Sequence, residues 1–447
     1  MPKILVTGGT GLVGSAIKYI VDHEPTEFTK KYDWDFVGSA ESDLRQKEAS
    51  YRLLRRYKPT YVIHLAAKVG GLFANMRNRV DFLRDNIRIN ENIIDACDRS
   101  GVEKGIFCLS SCVFPVDPPS FPMDESMLHK GAVHESNEGY AYAKRLLHVQ
   151  CKNHNLERKR KYMCVVPVNV YGPEDTFDLD KCHVIPALIK KCVESQKAGT
   201  DFIIEGDGTP LRQFIYSHDL AKAMIKILDR HETDYNKPII ICSDEEYSIK
   251  TIVDKIAGIV GFTGEIKYIG SDNGVFKKTV TNAYFKSLYP SVQFTSLQDG
   301  LTKTIRWYKN EVDVFAKKII PKLSSVPSVT EKITLVLPTR GRPKLMDRMW
   351  SSVKKTAVVG DQIEVAFYID DDDQPSIDKI KQLQEDDVRV KYMIGPRVSI
   401  SEAWNNCYFK CATGSIIMLC GDDFIMRTKG WDAMVRAEFA KYIDRIV

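Results

Sequence analysis

The stretch Lys3-Ile-Leu-Val-Thr7-Gly8-Gly-Thr-Gly11-Leu-Val-Gly14 decides how the first part of the chain is read. The apolar run reads as a short buried strand, and an apolar helical pattern reaching about Val21 follows the glycines. Glycines at 8, 11 and 14 permit a tight turn, close approach of a pyrophosphate, and tight packing of helix on strand. The helix N-terminus adds N–H donors and positive potential for phosphate. A lone glycine cluster is often only a loop; a strand before it and a helix after it make it a dinucleotide fingerprint.

Further strands are expected at Trp34–Gly38, Tyr61–Leu65, Ile106–Leu109 and Tyr162–Val168, with helical patterns between them. The fold class is therefore α/β, a Rossmann-type doubly wound parallel sheet. Ser39-Ala-Glu41 follows the second strand, where a ribose-recognising group belongs. An acid there favours NAD and a base favours the 2′-phosphate of NADP; Glu41 stands somewhat late and no Lys or Arg stands at the strand tip. These residues leave the choice of cofactor open. Leu65, Ala66 and Ala67 end the third strand, and small residues there let the backbone pass close to a cofactor. Asn86 and Asn90 lie one helical turn apart, and capping or solvent contact is as good a reading of them as a functional one.

The chain has 447 residues, so about two or three domains are expected. Its 44% hydrophobic and 28% charged content is that of a soluble globular protein. A net charge of +5 is too small to suggest a nucleic-acid protein and fits a few cations clustered for a phosphate-bearing small molecule. Eleven cysteines without C-x-x-C pairs indicate neither a zinc site nor a disulfide framework, and reduced thiols in the cytoplasm are expected. No apolar run approaches the roughly 18 residues of a membrane helix. The first strand starts too early to leave room for a signal peptide.

The fourth strand delivers Ser110 and Cys112 at its carboxyl end, where open parallel sheets hold their ligands. Tyr140 and Lys144 share one face of a later helix, a spacing that lets an ammonium favour the ionised phenol. Taken alone, Cys112 reads as a small buried hydrophobe and His183 as a satisfied, partly buried histidine.

Together the motifs are specific. His64-Leu-Ala-Ala-Lys-Val-Gly-Gly-Leu72, Leu109-Ser-Ser-Cys-Val-Phe-Pro115, Tyr140-Ala-Tyr-Ala-Lys144, Val168-Asn-Val-Tyr-Gly-Pro173 and His183-Val-Ile-Pro-Ala-Leu188 occur in an order that resembles the GDP-L-fucose synthase family of extended short-chain dehydrogenase/reductases. Arg212-Gln-Phe-Ile-Tyr216 and Gly274-Val-Phe-Lys-Lys278 continue the likeness, which covers about residues 1–315. It implies NADPH-dependent epimerisation and reduction of a GDP-4-keto-6-deoxy-mannose by a homodimer with a small substrate-binding subdomain. Ser110, Tyr140 and Lys144 resemble its reductase triad, and Cys112 and His183 its base and acid at C3 and C5. By the same likeness Gly8, Gly11, Leu12, Val13, Gly14, Asp43, Leu65, Ala66 and Ala67 touch the NADP cofactor, with Lys144, Pro167, Asn169 and Val170. Asn169, His183, Val184, Lys191, Arg212 and Lys278 touch the substrate. Glu205 stands where the family has a Trp, and Ala40 where it often has a base. The alternatives are another nucleotide-sugar epimerase or dehydratase, or a non-catalytic cofactor-binding scaffold.

The likeness ends near Asn310. Residues 1–318 are read as the reductase, 319–331 as a linker, and 332–447 as a second α/β domain with strands at Ile333–Leu337, Glu364–Ile369, Val388–Met393 and Ser415–Cys420. Pro338-Thr-Arg-Gly-Arg-Pro343, the acids Asp370–Asp373 and Gly421-Asp-Asp-Phe424 stand at strand ends. They resemble the nucleotide-binding half of family-2 GT-A glycosyltransferases, which implies a sugar nucleotide with Mg2+ or Mn2+ on Asp422 and Asp423. The sequence stops soon after Asp423, short of the acceptor-binding half of such enzymes, so a nucleotide-binding domain is expected rather than a whole transferase.

Overall fold

The computed structural model describes residues 1–179, 182–230, 234–270, 276–324, 331–421 and 423–439. They form two compact units, Met1–Lys309 and Asn310–Val447.

The strands of the first unit are β1 (Lys3–Thr7), β2 (Asp33–Val37), β3 (Tyr61–His64), β4 (Lys104–Cys108), β5 (Lys161–Pro167), β6 (Asn169–Tyr171), β7 (Phe202–Glu205), β8 (Leu211–Tyr216), β9 (Ile239–Ile241), β10 (Glu246–Ser248) and β11 (Ile266–Ile269). Six of them make the main sheet in the order β2-β1-β3-β4-β5-β9, every pair parallel. Ile4, Leu5 and Val6 are fully buried, as a strand covered on both faces requires. Helix Leu12–His23 packs on helix Ser217–Arg230, while Lys47–Tyr57, Arg79–Arg99 and Glu138–Arg158 pack on one another in succession. The strand order reverses between β1 and β3, and a ligand crevice belongs outside the carboxyl ends there. The small subdomain holds two further sheets, β10-β8-β6 and β11-β7.

The glycines do what their spacing predicts. Gly8 has φ +72, and a Cβ on it would lie 2.7 Å from the Ala66 nitrogen; a Cβ on Gly14 would lie 2.5 Å from the Gly8 oxygen. The first turn can therefore cross the end of β3 only without side chains.

The second unit is a parallel sheet of β12 (Ile333–Thr339), β13 (Ile363–Asp370), β14 (Val390–Gly395) and β15 (Ile416–Leu419), in the order β14-β13-β12-β15. Leu335, Leu337, Trp350 and Phe367 share one apolar cluster, and Val336, Tyr368, Ala403 and Cys407 share another. Glu364 lies fully buried among cations and hydroxyls: Lys332 at 2.5 Å, Lys391 at 2.9 Å, and Thr334 at 2.6 Å.

Several boundaries differ from expectation: the first unit ends at Lys309 rather than at 318, and β4 starts at Lys104 rather than Ile106. Helix Leu297–Ser324 runs on through residues 319–324, which read as linker, and residues 325–330 lie outside the described residues. β14 starts at Val390 rather than Val388, which is 86% exposed.

Candidate active site

A cavity of about 1100 Å³ opens along the carboxyl ends of the main sheet. Gly8, Gly11, Leu12, Val13 and Gly14 line it from the first turn, Leu65, Ala66 and Ala67 from the end of β3, and Pro167, Asn169 and Val170 from the end of β5. Asp43 and Lys144 also face it, so all the expected cofactor residues meet in one cleft. Gly11 N-caps the first helix without a side chain, leaving the helix N-terminus open toward the cleft.

At its inner end the cleft meets a smaller chamber of about 200 Å³. Ser110, Tyr140, Asn169 and His183 line both, while Cys112, Arg212 and Lys278 line only the chamber. Ser110 N-caps the short turn Ser111–Val113, its Oγ accepting from the Cys112 amide at 3.4 Å. That turn follows β4 directly, which places Ser110 and Cys112 side by side at the strand end.

Lys144 is 1% exposed; its Nζ donates to the Cys108 carbonyl at 2.7 Å and lies 5.7 Å from the Tyr140 ring centre. Burial lowers the Lys144 pKa and pushes Tyr140 well above its ordinary value. The expectation of an ionised phenol is thereby corrected: with its ammonium committed to Cys108, desolvation dominates and Tyr140 keeps its proton. A protonated phenol is the form that donates during reduction. Burial also raises the Cys112 thiol, while the Ser110 hydrogen bond and the Lys278 and Lys144 charges oppose the rise. His183 is open to the cleft, yet the protein walls around it desolvate the ring and lower its pKa.

Behind these groups His64 is fully buried and held neutral, its pKa lowered to about 3 by burial first and the Lys144 charge second. Asn90 Nδ2 donates to the Ala143 carbonyl at 3.3 Å, so its Oδ1 accepts from His64 Nε2, and His64 Nδ1 accepts from Thr7 Oγ1 at 2.7 Å. Asn86 bonds both backbone groups of Lys68 at 3.0 Å. Both asparagines are thus internal braces, neither caps nor solvent contacts.

Some expected contacts are absent. Lys191 does not line either cavity; its ammonium pairs with Glu205 at 3.1 Å. Val184 is likewise outside both linings, half-buried beside His183. The Asp43 carboxylate is taken by Arg45, at 2.9 Å from Nε and 2.8 Å from Nη2. Of the motif Gly274–Lys278, residues 274 and 275 lie outside the described residues, and Lys278 reaches the chamber.

Residues that sequence reasoning missed include Arg45 and Ser42 on the cleft wall, beside Ser39, and Asn75 and Asn137 on the chamber wall. Arg45 stands too far past β2 to be found by looking at the strand tip, and a lone Asn carries no signal of its own.

The metal reading of the second unit rests on Asp422 and Asp423, only one of which is described. Asp422 lies outside the described residues, Asp423 is exposed, and no group of three His, Cys, Asp or Glu among the described residues could hold an ion. Arg340 instead takes the Asp370 and Asp372 carboxylates at 2.5 and 2.6 Å.

A parallel dinucleotide-binding sheet with Ser, Tyr and Lys converging on its carboxyl edge defines a short-chain reductase. The pattern of the NAD dependent epimerase/dehydratase family matches residues 4–242. A probable GDP-L-fucose synthase of Drosophila melanogaster is 41% identical over 323 residues, covering 70% of this chain and 99% of that protein. The GDP-L-fucose synthase of Dictyostelium discoideum is 40% identical over 316 residues, 70% of this chain and 97% of its own. The crystal structure of a GDP-L-fucose synthetase from Naegleria fowleri bound to NADP superposes with a TM-score of 0.64 at 40% identity, covering 70% of this chain and 94% of that one. The chain belongs to the NAD dependent epimerase/dehydratase family and, within it, to the GDP-L-fucose synthases.

Proposed function

We propose that residues 1–309 convert GDP-4-dehydro-6-deoxy-D-mannose to GDP-L-fucose, by epimerisation at C3 and C5 and reduction at C4. The observation that carries the reading is the chamber that joins Cys112, His183, Arg212 and Lys278 to the reductase groups Ser110 and Tyr140. A plain reductase or 4-epimerase has no need of a thiol and an imidazole beside the triad.

The C4 ketone acidifies the C–H groups at C3 and C5. Cys112 as base removes a proton, Ser110 and Tyr140 hydrogen-bond the enolate oxygen, and His183 as acid returns a proton on the opposite face. Bound NADPH supplies the hydride that reaches C4. Tyr140 gives its proton to the C4 oxygen, and Lys144 holds the strand end beneath it. Loss of the ketone then stops further exchange. Arg212 and Lys278 are cations half-buried in the chamber, suited to the GDP diphosphate.

NADPH is favoured over NADH by the cleft wall beyond β2. Glu41, the acid nearest the strand end, is turned away to Tyr57 at 2.5 Å and Arg56 at 3.1 Å. Arg45, paired with Asp43 and with its Nη1 3.6 Å from the Asp85 carboxylate, faces the cleft beside Ser39 and Ser42. A guanidinium beside two hydroxyls suits a 2′-phosphate, which would compete with these carboxylates for it.

A homodimer is supported by Tyr142, Leu146 and Val149, exposed at i, i+4 and i+7 on helix Glu138–Arg158, next to exposed Val80 and Leu83 on its neighbour Arg79–Arg99. Residence in the cytoplasm is supported by eleven cysteines, all free. No helix among the described residues is long and apolar enough to cross a membrane.

The test mixes the protein with NADPH and GDP-4-dehydro-6-deoxy-D-mannose and follows NADPH absorbance. Oxidation with GDP-L-fucose as product is expected; a folded protein that oxidises no NADPH under these conditions would refute the assignment. Cys112→Ser should stop deuterium entry at C3 and C5 without weakening NADPH binding.

A further inference from the structure

The small chamber contains two hydrogen-bond acceptors that accept from no donor among the described residues. Asn75, 7% exposed, donates from Nδ2 to the Gly70 carbonyl at 2.9 Å and the Gly71 carbonyl at 3.1 Å. Two carbonyls can be served only by the amide nitrogen, so the amide cannot be flipped and its oxygen is fixed on the other side. That Oδ1 is buried and has no donor; the Oδ1 of Asn137, on the turn that leads into the Tyr140 helix, is buried and unpartnered as well. Both residues line the chamber with Cys112, His183 and Tyr140. Gln213, another amide of the same wall, makes the contrast. It accepts from the Val280 amide and donates to the Ser243 and Val280 carbonyls, so it is satisfied by the fold itself.

A buried acceptor left unpaired costs about 1–3 kcal/mol, so an orphan in a ligand chamber points to a donor that arrives with the ligand. Resting on the reaction proposed above, the donors can be counted. In a GDP-4-dehydro-6-deoxy hexose, C1 carries the diphosphate, C4 is a ketone, the ring oxygen closes on C5, and C6 is a methyl group. Only the hydroxyls on C2 and C3 remain, both of them donors. The ketone oxygen is itself an acceptor and belongs with Ser110 and Tyr140.

We propose that the amide oxygens of Asn75 and Asn137 accept hydrogen bonds from the C2 and C3 hydroxyls of the sugar, and so set which ring carbons face Cys112 and His183. They are positioning residues that recognise the hexose and neither the nucleotide nor the cofactor.

The experiment measures binding to the NADP-saturated protein by calorimetry with GDP-L-fucose, GDP-2-deoxy-2-fluoro-L-fucose and GDP. Wild type should bind the fluoro analogue, which lacks the C2 donor, more weakly than GDP-L-fucose. Asn75→Ala and Asn137→Ala should each weaken GDP-L-fucose by about 5- to 50-fold, the loss of one buried hydrogen bond. Affinity for GDP and for NADPH should stay unchanged, and the variant that loses the C2 contact should no longer distinguish the fluoro analogue. Equal weakening of GDP and GDP-L-fucose in both variants would assign the amides a purely structural role and overturn the inference, as would unchanged affinity for GDP-L-fucose in both. Asn137→Ala keeps the test open if loss of the Gly70–Gly71 anchor unfolds Asn75→Ala. Wild-type protein that turns over no GDP-4-dehydro-6-deoxy-D-mannose and binds GDP-L-fucose no better than GDP would instead sink the reaction itself, and the inference with it.

Discussion

Tyr140 and Cys112 touch the same substrate but serve separable steps. Tyr140→Phe keeps the ring in its place beside Lys144 and removes only the proton that the C4 oxygen receives. Reduction should fall by about 10²- to 10⁴-fold, the usual contribution of a positioned acid. Deuterium exchange at C3 and C5 should fall less, because Ser110 still hydrogen-bonds the enolate oxygen, and NMR of the substrate recovered from D2O would show it; an equal loss of both activities would mean that the enolate needs the phenol as much as the reduction does. The pH dependence follows from the thiol. Burial raises Cys112, so the thiolate that removes the C–H proton gains population only as pH rises into the alkaline range. Proton removal, followed as loss of deuterium from substrate labelled at C3 or C5, should climb with pH there, because this half of the exchange needs the thiolate and not a protonated His183. Lys278 is one of the charges opposing the rise, so Lys278→Met should move that limb to still higher pH, besides weakening the substrate. Tyr140 and Lys144 could be named from their spacing and Ser110 from its strand end, whereas Cys112 and His183, bland when taken alone, could be named only through the family's motifs. Arg45, Asn75 and Asn137 could not, because their roles depend on which partners the fold leaves them.

The catalytic residues depend on a few elements held together by long polar side chains. Arg145, next to Lys144 on its helix and 7% exposed, donates to the Val113 carbonyl at 2.7 Å and the Gly131 carbonyl at 2.8 Å. It therefore ties the turn bearing Cys112 to the helix bearing Tyr140. Arg145→Met preserves bulk but leaves both carbonyls without a donor, a cost of about 1–3 kcal/mol. Thermal unfolding should occur at a lower temperature, and kcat for exchange should fall more than NADPH affinity does; unchanged kcat would show that the turn holds its position unaided. Strands β1 to β5 and β12 to β15 were legible from apolar runs, β1 from a single five-residue stretch, because burial on both faces demands that composition, whereas β6 to β11, mostly three or four residues long, were not read. Their partners were less so. The acid Glu205 faces Lys191 across an ion pair, and only the fold shows that this removes Lys191 from the cleft. The helix that ends at Ser324 passes through Pro321 and the polar residues that read as linker.

Every residue lining the cleft and the chamber lies between Gly8 and Lys278, inside the first unit. Leu297, Leu301, Ile305 and Tyr308 are buried from helix Leu297–Ser324, so a shortened chain must keep that helix. A chain ending at Ser324 should oxidise NADPH with GDP-4-dehydro-6-deoxy-D-mannose at the kcat/KM of the full protein. A large loss would give the second unit a part in the reaction. The second unit has its own sensitivity to acid, set by Glu364. Lys332, Thr334, Lys391 and the Thr413 amide surround its carboxylate and hold its pKa at about 2, against burial, which works the other way. The ordinary value is 4.5, so folding favours the ionised form, and that stabilisation is complete above about 4.5 and lost as pH falls toward 2. Calorimetry of the full chain between these values should show the transition of the second unit moving to lower temperature. Glu364→Gln removes the charge that balances two lysines, so the same transition should already lie lower at pH 7 and change less with acid. A Glu364→Gln transition that kept the wild-type dependence would place the acid sensitivity on other carboxylates.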